Sequence, residues 1–216
     1  MALEIEIRKK LKEFELEVSF CAEDGCMAFM GPSGSGKSMT LKCIAGIERP
    51  DSGRIVLNGR VLYDSAQKIC ISPQKRNVGY LFQSYALFPN KNVEQNIQTG
   101  LLTKHLNRSQ IREKTEEMIH KFHLEALEKR YPPQLSGGQR QRVALARLLA
   151  YDPEVVLLDE PFSALDEELK EELQQELRCT IRGLHRPTIL VTHDSREAKL
   201  LSDKIIRIKK GMLMEA

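Results

Sequence analysis

Hydrophobic and polar positions alternate along the opening of the chain. Leu3, Ile5 and Ile7 fall on one side of an extended segment. Phe14, Leu16, Val18 and Phe20 do the same after a polar break, with Glu15, Glu17 and Ser19 facing the other way. A period of two predicts half-buried antiparallel strands. A further strand over Arg54–Leu57 meets Asn58-Gly59 and returns through Arg60–Tyr63, a strong hairpin signal. A β-rich layer therefore brackets residues 25–50. Three other runs, Met27–Met30, Val155–Leu158 and Ile189–Thr192, are short and continuously apolar, as in parallel strands covered on both faces.

Helical periodicity fills the intervals over Ser38–Ile47, Ser109–Phe122, Gly138–Ala150 and Glu167–Leu184. In the second of these, Ile111, Thr115, Met118, Ile119 and Phe122 share one face. Strands alternating with helices predict an α/β fold around a sheet. The stretch from about Ser84 to Pro133, polar outside its apolar stripe, reads as a helical lobe inserted into that sheet.

Composition narrows the function classes. The 33 Lys+Arg nearly cancel the 30 Asp+Glu, leaving +3, so there is no basic excess to make an electrostatic case for nucleic-acid binding. No apolar run approaches the ~20 residues of a membrane span, and MALEIEIRKK lacks the apolar core of a signal peptide. Five scattered cysteines without a C-x-x-C pair read as reduced thiols. His120 and His123, three residues apart in a polar helix, read as a solvated face rather than a metal site.

The chemistry begins at Gly31-Pro-Ser-Gly-Ser-Gly-Lys-Ser38, a full G-x-x-x-x-G-K-[ST] match placed between an apolar strand and a helix. Glycines let the backbone wrap a polyphosphate, and successive N–H groups and the helix N-terminus point positive charge at it. Ser33, Gly34, Ser35, Gly36, Lys37, Ser38 and Met39 are the candidate nucleotide contacts, with Lys37 at the β/γ-phosphates and Ser38 placed for Mg²⁺. Val155–Leu158 ends in two adjacent carboxylates that, as strand neighbours, should take separate roles. Asp159 suits the metal and Glu160 the attacking water. Pro161, immediately after them, favours an active-site turn over a helix cap.

Leu135-Ser-Gly-Gly-Gln139 opens a long helix and joins Gln83, Asp159-Glu160, Ser163-Ala-Leu-Asp166 and His193 in one order along the chain. With the phosphate loop, this set resembles the ATP-binding-cassette (ABC) ATPases over essentially the whole length. The resemblance implies a P-loop NTPase (RecA-like) α/β core with an antiparallel β subdomain. It also implies an inserted helical subdomain at about 84–150; the chain reads as a single domain 1–216, departing from the many importer cassettes that carry a C-terminal regulatory domain. ATP and Mg²⁺ are the implied cofactors. Glu160, His193 and Gln83 are the implied catalytic residues, and Ser38, Gln83 and Asp159 the implied metal ligands. In a head-to-tail homodimer, Ser136, Gly137, Gly138 and Gln139 would cap the γ-phosphate held by the partner's phosphate loop, and Asp166 would cross the interface. Either Phe14 or Leu11 falls near the position expected to stack on adenine.

Within that family the short span between Gln83 and Leu135 has no room for the long coiled coil of repair and chromosome members. Arg130-Tyr-Pro-Pro-Gln-Leu-Ser-Gly-Gly-Gln and Thr192-His-Asp-Ser-Arg-Glu-Ala resemble importer cassettes. The implied partners are integral membrane permease subunits, received by the 84–97 region, and a solute-binding protein reached indirectly. No nucleic-acid partner is expected. Exposed Tyr85, Leu87 and Phe88 would suit the permease contact, although core packing is an equal alternative. The implied location is peripheral, on the cytoplasmic side of the cell membrane. Gly53–Asp64 and Arg76–Gln83 look most like molybdate/tungstate importers. Sulfate, polyamine, iron and sugar importers share most of these features, and a non-transport cassette acting on nucleic acid or ribosomes is the remaining alternative.

Overall fold

A computed structural model describes residues 1–102, 106–163 and 167–214, without the side chains of 167–169. The chain forms two compact units. One comprises Met1–Tyr80, Glu154–Glu160 and Gln174–Ala216, and the other Leu81–Pro153 and Pro161–Leu173.

In the first unit, β1 (Leu3–Lys10) and β2 (Glu15–Ala22) pair antiparallel, Leu3 opposite Ala22 and Lys10 opposite Glu15. Their alternating apolar side chains are buried as the pattern predicts: Leu3, Ile5, Ile7, Leu16 and Val18 are at most 3% exposed. β3 (Gly25–Met30) runs into the phosphate loop, which hands over to α1 (Lys37–Ala45). β4 (Ser52–Leu57) and β5 (Arg60–Asp64) form the expected hairpin. Asn58 and Gly59 take φ of 50° and 78°, the left-handed pair that matches strand twist. Short β6 (Ile69–Cys70) and β7 (Val78–Leu81) follow.

The second unit contains α2 (Val93–Leu101), α3 (Arg108–Lys121) and α4 (Gly137–Ala150). Asn92 with Gln95, Asn107 with Gln110 and Ser136 with Gln139 start them, each pair forming a reciprocal capping box. The α3 stripe is buried at Thr115, Met118 and Ile119. Buried Asn96 organises the loop ahead of its own helix. Its Oδ1 accepts from Phe88 N at 2.9 Å, and its Nδ2 donates to Lys91 O at 2.9 Å and Asn92 O at 3.0 Å.

The chain continues through β8 (Val155–Asp159), α5 (Glu167–Arg182), β9 (Pro187–Val191), α6 (Ser195–Leu201), β10 (Lys204–Lys209) and β11 (Met212–Met214). β8 and β9 are buried at every position, as continuous apolar runs require. The strands among the described residues join one eleven-stranded sheet, ordered β6-β5-β4-β1-β2-β11-β10-β3-β9-β8-β7. The antiparallel and parallel parts are thus continuous rather than separate layers. The join is β11, antiparallel to β10 and parallel to β2. β10, β3, β9 and β8 pair in parallel and carry the site at their C-terminal ends, where α/β sheets bind ligands.

Candidate functional site

The phosphate loop is shaped by backbone demands that its glycines meet. Gly34 and Gly36 have φ of 78° and 105°. At Gly31 a Cβ would lie 2.1 Å from the Ile208 carbonyl oxygen, so only glycine fits between β3 and β10 there. Gly36 is the N-cap of α1 and offers no side chain to the first N–H groups, and the first turn carries no acidic residue. That helix end is therefore left open toward an anion.

Lys37 is 5% exposed and folds back over the loop, its ammonium donating to the Gly31 and Pro32 carbonyls at 2.8 Å each. An ammonium has three donors, so a third remains for a ligand. Burial lowers the Lys37 pKa below its ordinary value, opposed by the negative charges of Glu160 and Asp159. The buried Ser35 hydroxyl has no partner in the same loop. An electropositive cradle with orphaned donors fits a polyphosphate.

Two carboxylates close the site. Ser38 Oγ donates to Asp159 Oδ1 at 2.8 Å, and the Tyr80 hydroxyl donates to Asp159 Oδ2 at 2.8 Å. Burial, with the Asp159 charge and hydrogen bond, pushes the Tyr80 phenol pKa up, so it stays a protonated donor. A hydroxyl and a carboxylate from two chain segments are the oxygen donors that Mg²⁺ prefers.

Glu160 differs from the expectation of simple strand alternation. β8 ends at Asp159, and Glu160 turns into the left-handed region at φ 47° while its N–H still pairs with Val191 O at 2.9 Å. A non-glycine residue held there is strained and over-determined by its surroundings. Its carboxylate lies 3.6 Å from His193 Nδ1. His193 stands on a tightly built loop. Asp194 caps α6 through Arg196 N and Glu197 N, and Asp194 N donates to Thr192 Oγ1. Buried Thr192 in turn donates to the buried carboxylate of Glu197.

Of the remaining expected residues, Gln83 and Ser136–Gln139 belong to the second unit. Gln83 is exposed, just past β7. Ser136 is the N-cap of α4. Its hydroxyl accepts from Gln139 N at 3.2 Å, and Gln139 Oε1 accepts from Ser136 N at 3.0 Å. Gly137 and Gly138 form the first turn. Ser33 is exposed, and Met39 packs against the core of the first unit. Asp166 lies outside the described residues.

Of the three side chains offered for a permease contact or for core packing, Tyr85 takes the core alternative. It is 5% exposed, with its hydroxyl donating to Pro161 O at 3.1 Å, so it is core rather than surface. Phe88 is 44% exposed, its ring 5.6 Å from the Arg147 guanidinium. Phe14 and Leu11 are both half-buried, and the Phe14 ring lies 3.6 Å from where a Gly36 Cβ would stand. Tyr80 was not singled out from the sequence, although strand alternation in Gly79-Tyr-Leu-Phe beside a carboxylate-bearing strand is the signal that could have found it.

Comparison with known proteins agrees with this geometry. The ABC transporter family matches residues 16–163. A sulfate/thiosulfate import ATP-binding protein from Thermosynechococcus vestitus is 46% identical over 203 residues, covering 94% of this chain and 58% of that protein. A molybdate/tungstate import ATP-binding protein from Methanocaldococcus jannaschii is 44% identical over 209 residues, covering 96% of this chain and 67% of that protein. The chain thus spans little more than half the length of its sulfate relatives. A dimeric ATP-binding cassette solved in a post-hydrolysis state with ADP and Pi superimposes with a TM-score of 0.82 at 29% identity. That match covers 100% of this chain and 97% of the other. Sequence, fold and relatives agree, and the chain belongs to the ABC transporter family.

Proposed function

We propose that this chain binds and hydrolyses ATP and is the motor of an importer whose membrane subunits are separate chains. The observation that carries the reading is the grouping within one unit of an open α1 N-terminus, the buried Lys37 ammonium, the Ser38–Asp159 pair and the Glu160–His193 pair. Lys37 and the loop N–H groups bind the phosphates. Ser38, Asp159 and Gln83 would hold Mg²⁺, whose charge offsets that developing on the phosphate oxygens. Glu160 accepts a proton from the attacking water and orients it in line with the γ-phosphate. His193 steadies Glu160 and reaches the γ-phosphate. Phe14, beside Gly36, is the better placed of the two candidates for the adenine face.

Two copies pair head to tail, so that the Ser136–Gln139 helix end of one closes over the nucleotide of the other and Asp166 crosses between them. The resemblance to a dimeric cassette supports this arrangement. Permease subunits dock on the 84–97 region, where Phe88 is the exposed aromatic. No helix among the described residues is long and apolar enough to cross a membrane, and a peripheral position on the cytoplasmic face follows from the docking. The sulfate/thiosulfate and molybdate/tungstate relatives share a cargo class, the divalent oxyanion. Molybdate, favoured by the sequence pattern, stands beside sulfate on equal terms.

The deciding experiment compares ATP binding and phosphate release for the wild type, Lys37→Ala and Glu160→Gln. Lys37→Ala should lose tight ATP binding. Glu160→Gln should keep it, stop turnover and run as a dimer in size-exclusion with Mg²⁺-ATP. Wild-type turnover by Glu160→Gln would refute the assignment. Stimulation of the ATPase by a permease bound to an oxyanion-loaded binding protein tests the transport reading; salt-sensitive nucleic-acid binding would favour the non-transport one.

A further inference from the structure

Asp159 is only 7% exposed, and each of its two oxygens has a hydroxyl donor. An ionised carboxylate only accepts, so both hydroxyls donate to it. The two donors differ in kind. Ser38 lies in the first turn of α1 beside the phosphate cradle, and its oxygen is itself a candidate cation ligand, so it would release Oδ1 on turning to a metal. Tyr80 comes from β7, hydrogen-bonded to β8 in the sheet. Its phenol reaches Oδ2 at 2.8 Å from within regular structure rather than from a loop.

We propose that Tyr80 is a positioning residue for the divalent cation. Its hydroxyl holds Asp159 Oδ2 and thereby keeps Oδ1, the oxygen shared with Ser38, at the place where the metal of a bound nucleoside triphosphate sits. This rests on the Mg²⁺-ATP reading above. Without the phenol, the carboxylate is free to rotate about its last torsion and offer either oxygen, or neither, to the cation. With it, one oxygen is spoken for and the other has a single direction. Both strands are pinned in the sheet, so the arrangement is formed before the metal arrives. Partners that orient metal ligands in this way commonly change metal affinity by about 10–100-fold when lost.

A plain structural role makes a different prediction. If Tyr80 merely finds an acceptor for a half-buried hydroxyl, its loss lowers stability and leaves the metal response alone. The test uses the full chain, a fluorescent non-hydrolysable ATP analogue and no turnover. Nucleotide affinity is measured in EDTA and then across a Mg²⁺ titration, with Mn²⁺ as a second metal and thermal unfolding in parallel. For Tyr80→Phe, affinity in EDTA should stay within about twofold of wild type, and the Mg²⁺ midpoint should rise about tenfold. Tyr80→Leu, which removes the ring as well, should move the midpoint no further. Asp159→Asn should abolish the Mg²⁺ response. An unchanged midpoint in Tyr80→Phe, beside a normal wild-type response, would overturn the proposal alone. So would a large shift seen only in Tyr80→Leu. A wild type without Mg²⁺-dependent binding would overturn the nucleotide reading, and the proposal with it.

Discussion

Arg76 offers the sharpest test of how the phosphate loop is supported. It is fully buried, at 0% exposure, and its guanidinium donates to three backbone carbonyls: Ile71 at 2.8 Å, Cys43 at 2.9 Å and Ile44 at 2.8 Å. The last two close α1, so a fixed positive charge sits on the negative end of the helix whose other end presents Lys37 and Ser38. Gly46 makes room for it, since a Cβ there would lie 2.5 Å from Arg76 Nε. Burial lowers the Arg76 pKa, with Cys70 opposing, yet a guanidinium remains charged.

Arg76→Met fills similar volume and removes all three hydrogen bonds. Each bond from a charged donor is worth about 1.5–3 kcal/mol, or roughly 5–9 kcal/mol gross. The methionine no longer bears the desolvation of a buried charge, which offsets several kcal/mol. The net loss should be about 3 kcal/mol. At about 2–4 °C per kcal/mol for a chain of this size, thermal unfolding should fall by about 6–12 °C. Arg76→Lys keeps the charge but not the fork and should fall about half as far. Calorimetry or circular dichroism reads the shift. A change in Tm below about 2 °C for Arg76→Met would refute the view that this side chain braces α1.

Three other outcomes are expected of the same molecule. Gly31→Ala should lose nucleotide binding and about 2–4 kcal/mol of stability in a urea titration, because its Cβ meets the backbone oxygen of Ile208, which no rotamer relieves. With Ellman's reagent at pH 8, exposed Cys21, Cys70 and Cys179 should react at once, and Cys26 and Cys43 only on unfolding. Burial raises both of these pKa values to about 12 from 9.0, so their contribution to stability is complete below about pH 9 and lost as pH climbs toward 12. Arg147 donates to Ala86 O at 2.7 Å and Tyr85 O at 2.8 Å, bracing two non-glycine residues at positive φ. Arg147→Ala should speed amide hydrogen exchange across residues 85–88 while leaving α2 and α3 protected.

The sequence by itself determined whatever is written in contiguous residues. The phosphate loop, the Asn58-Gly59 hairpin and the helix start at Leu135–Gln139 are each complete within a few positions, because a turn or a helix end needs only its neighbours. Period-two and continuous apolar runs told half-buried strands from covered ones for the same reason. Tertiary structure decided what depends on partners far along the chain. Tyr80 meets Asp159 only because β7 pairs with β8. Arg76 meets Cys43 and Ile44 only because the turn after β6 packs under α1. β11 joins the antiparallel strands to the parallel ones, and no local pattern names its neighbours. Tyr85 could be surface or core by sequence, and burial with Pro161 as acceptor for its hydroxyl made it core. Glu160 looked like the next residue of a strand until its backbone turned left-handed and aimed its carboxylate toward His193. Local signals specify which chemistry is available, whereas long-range pairing specifies which atoms meet.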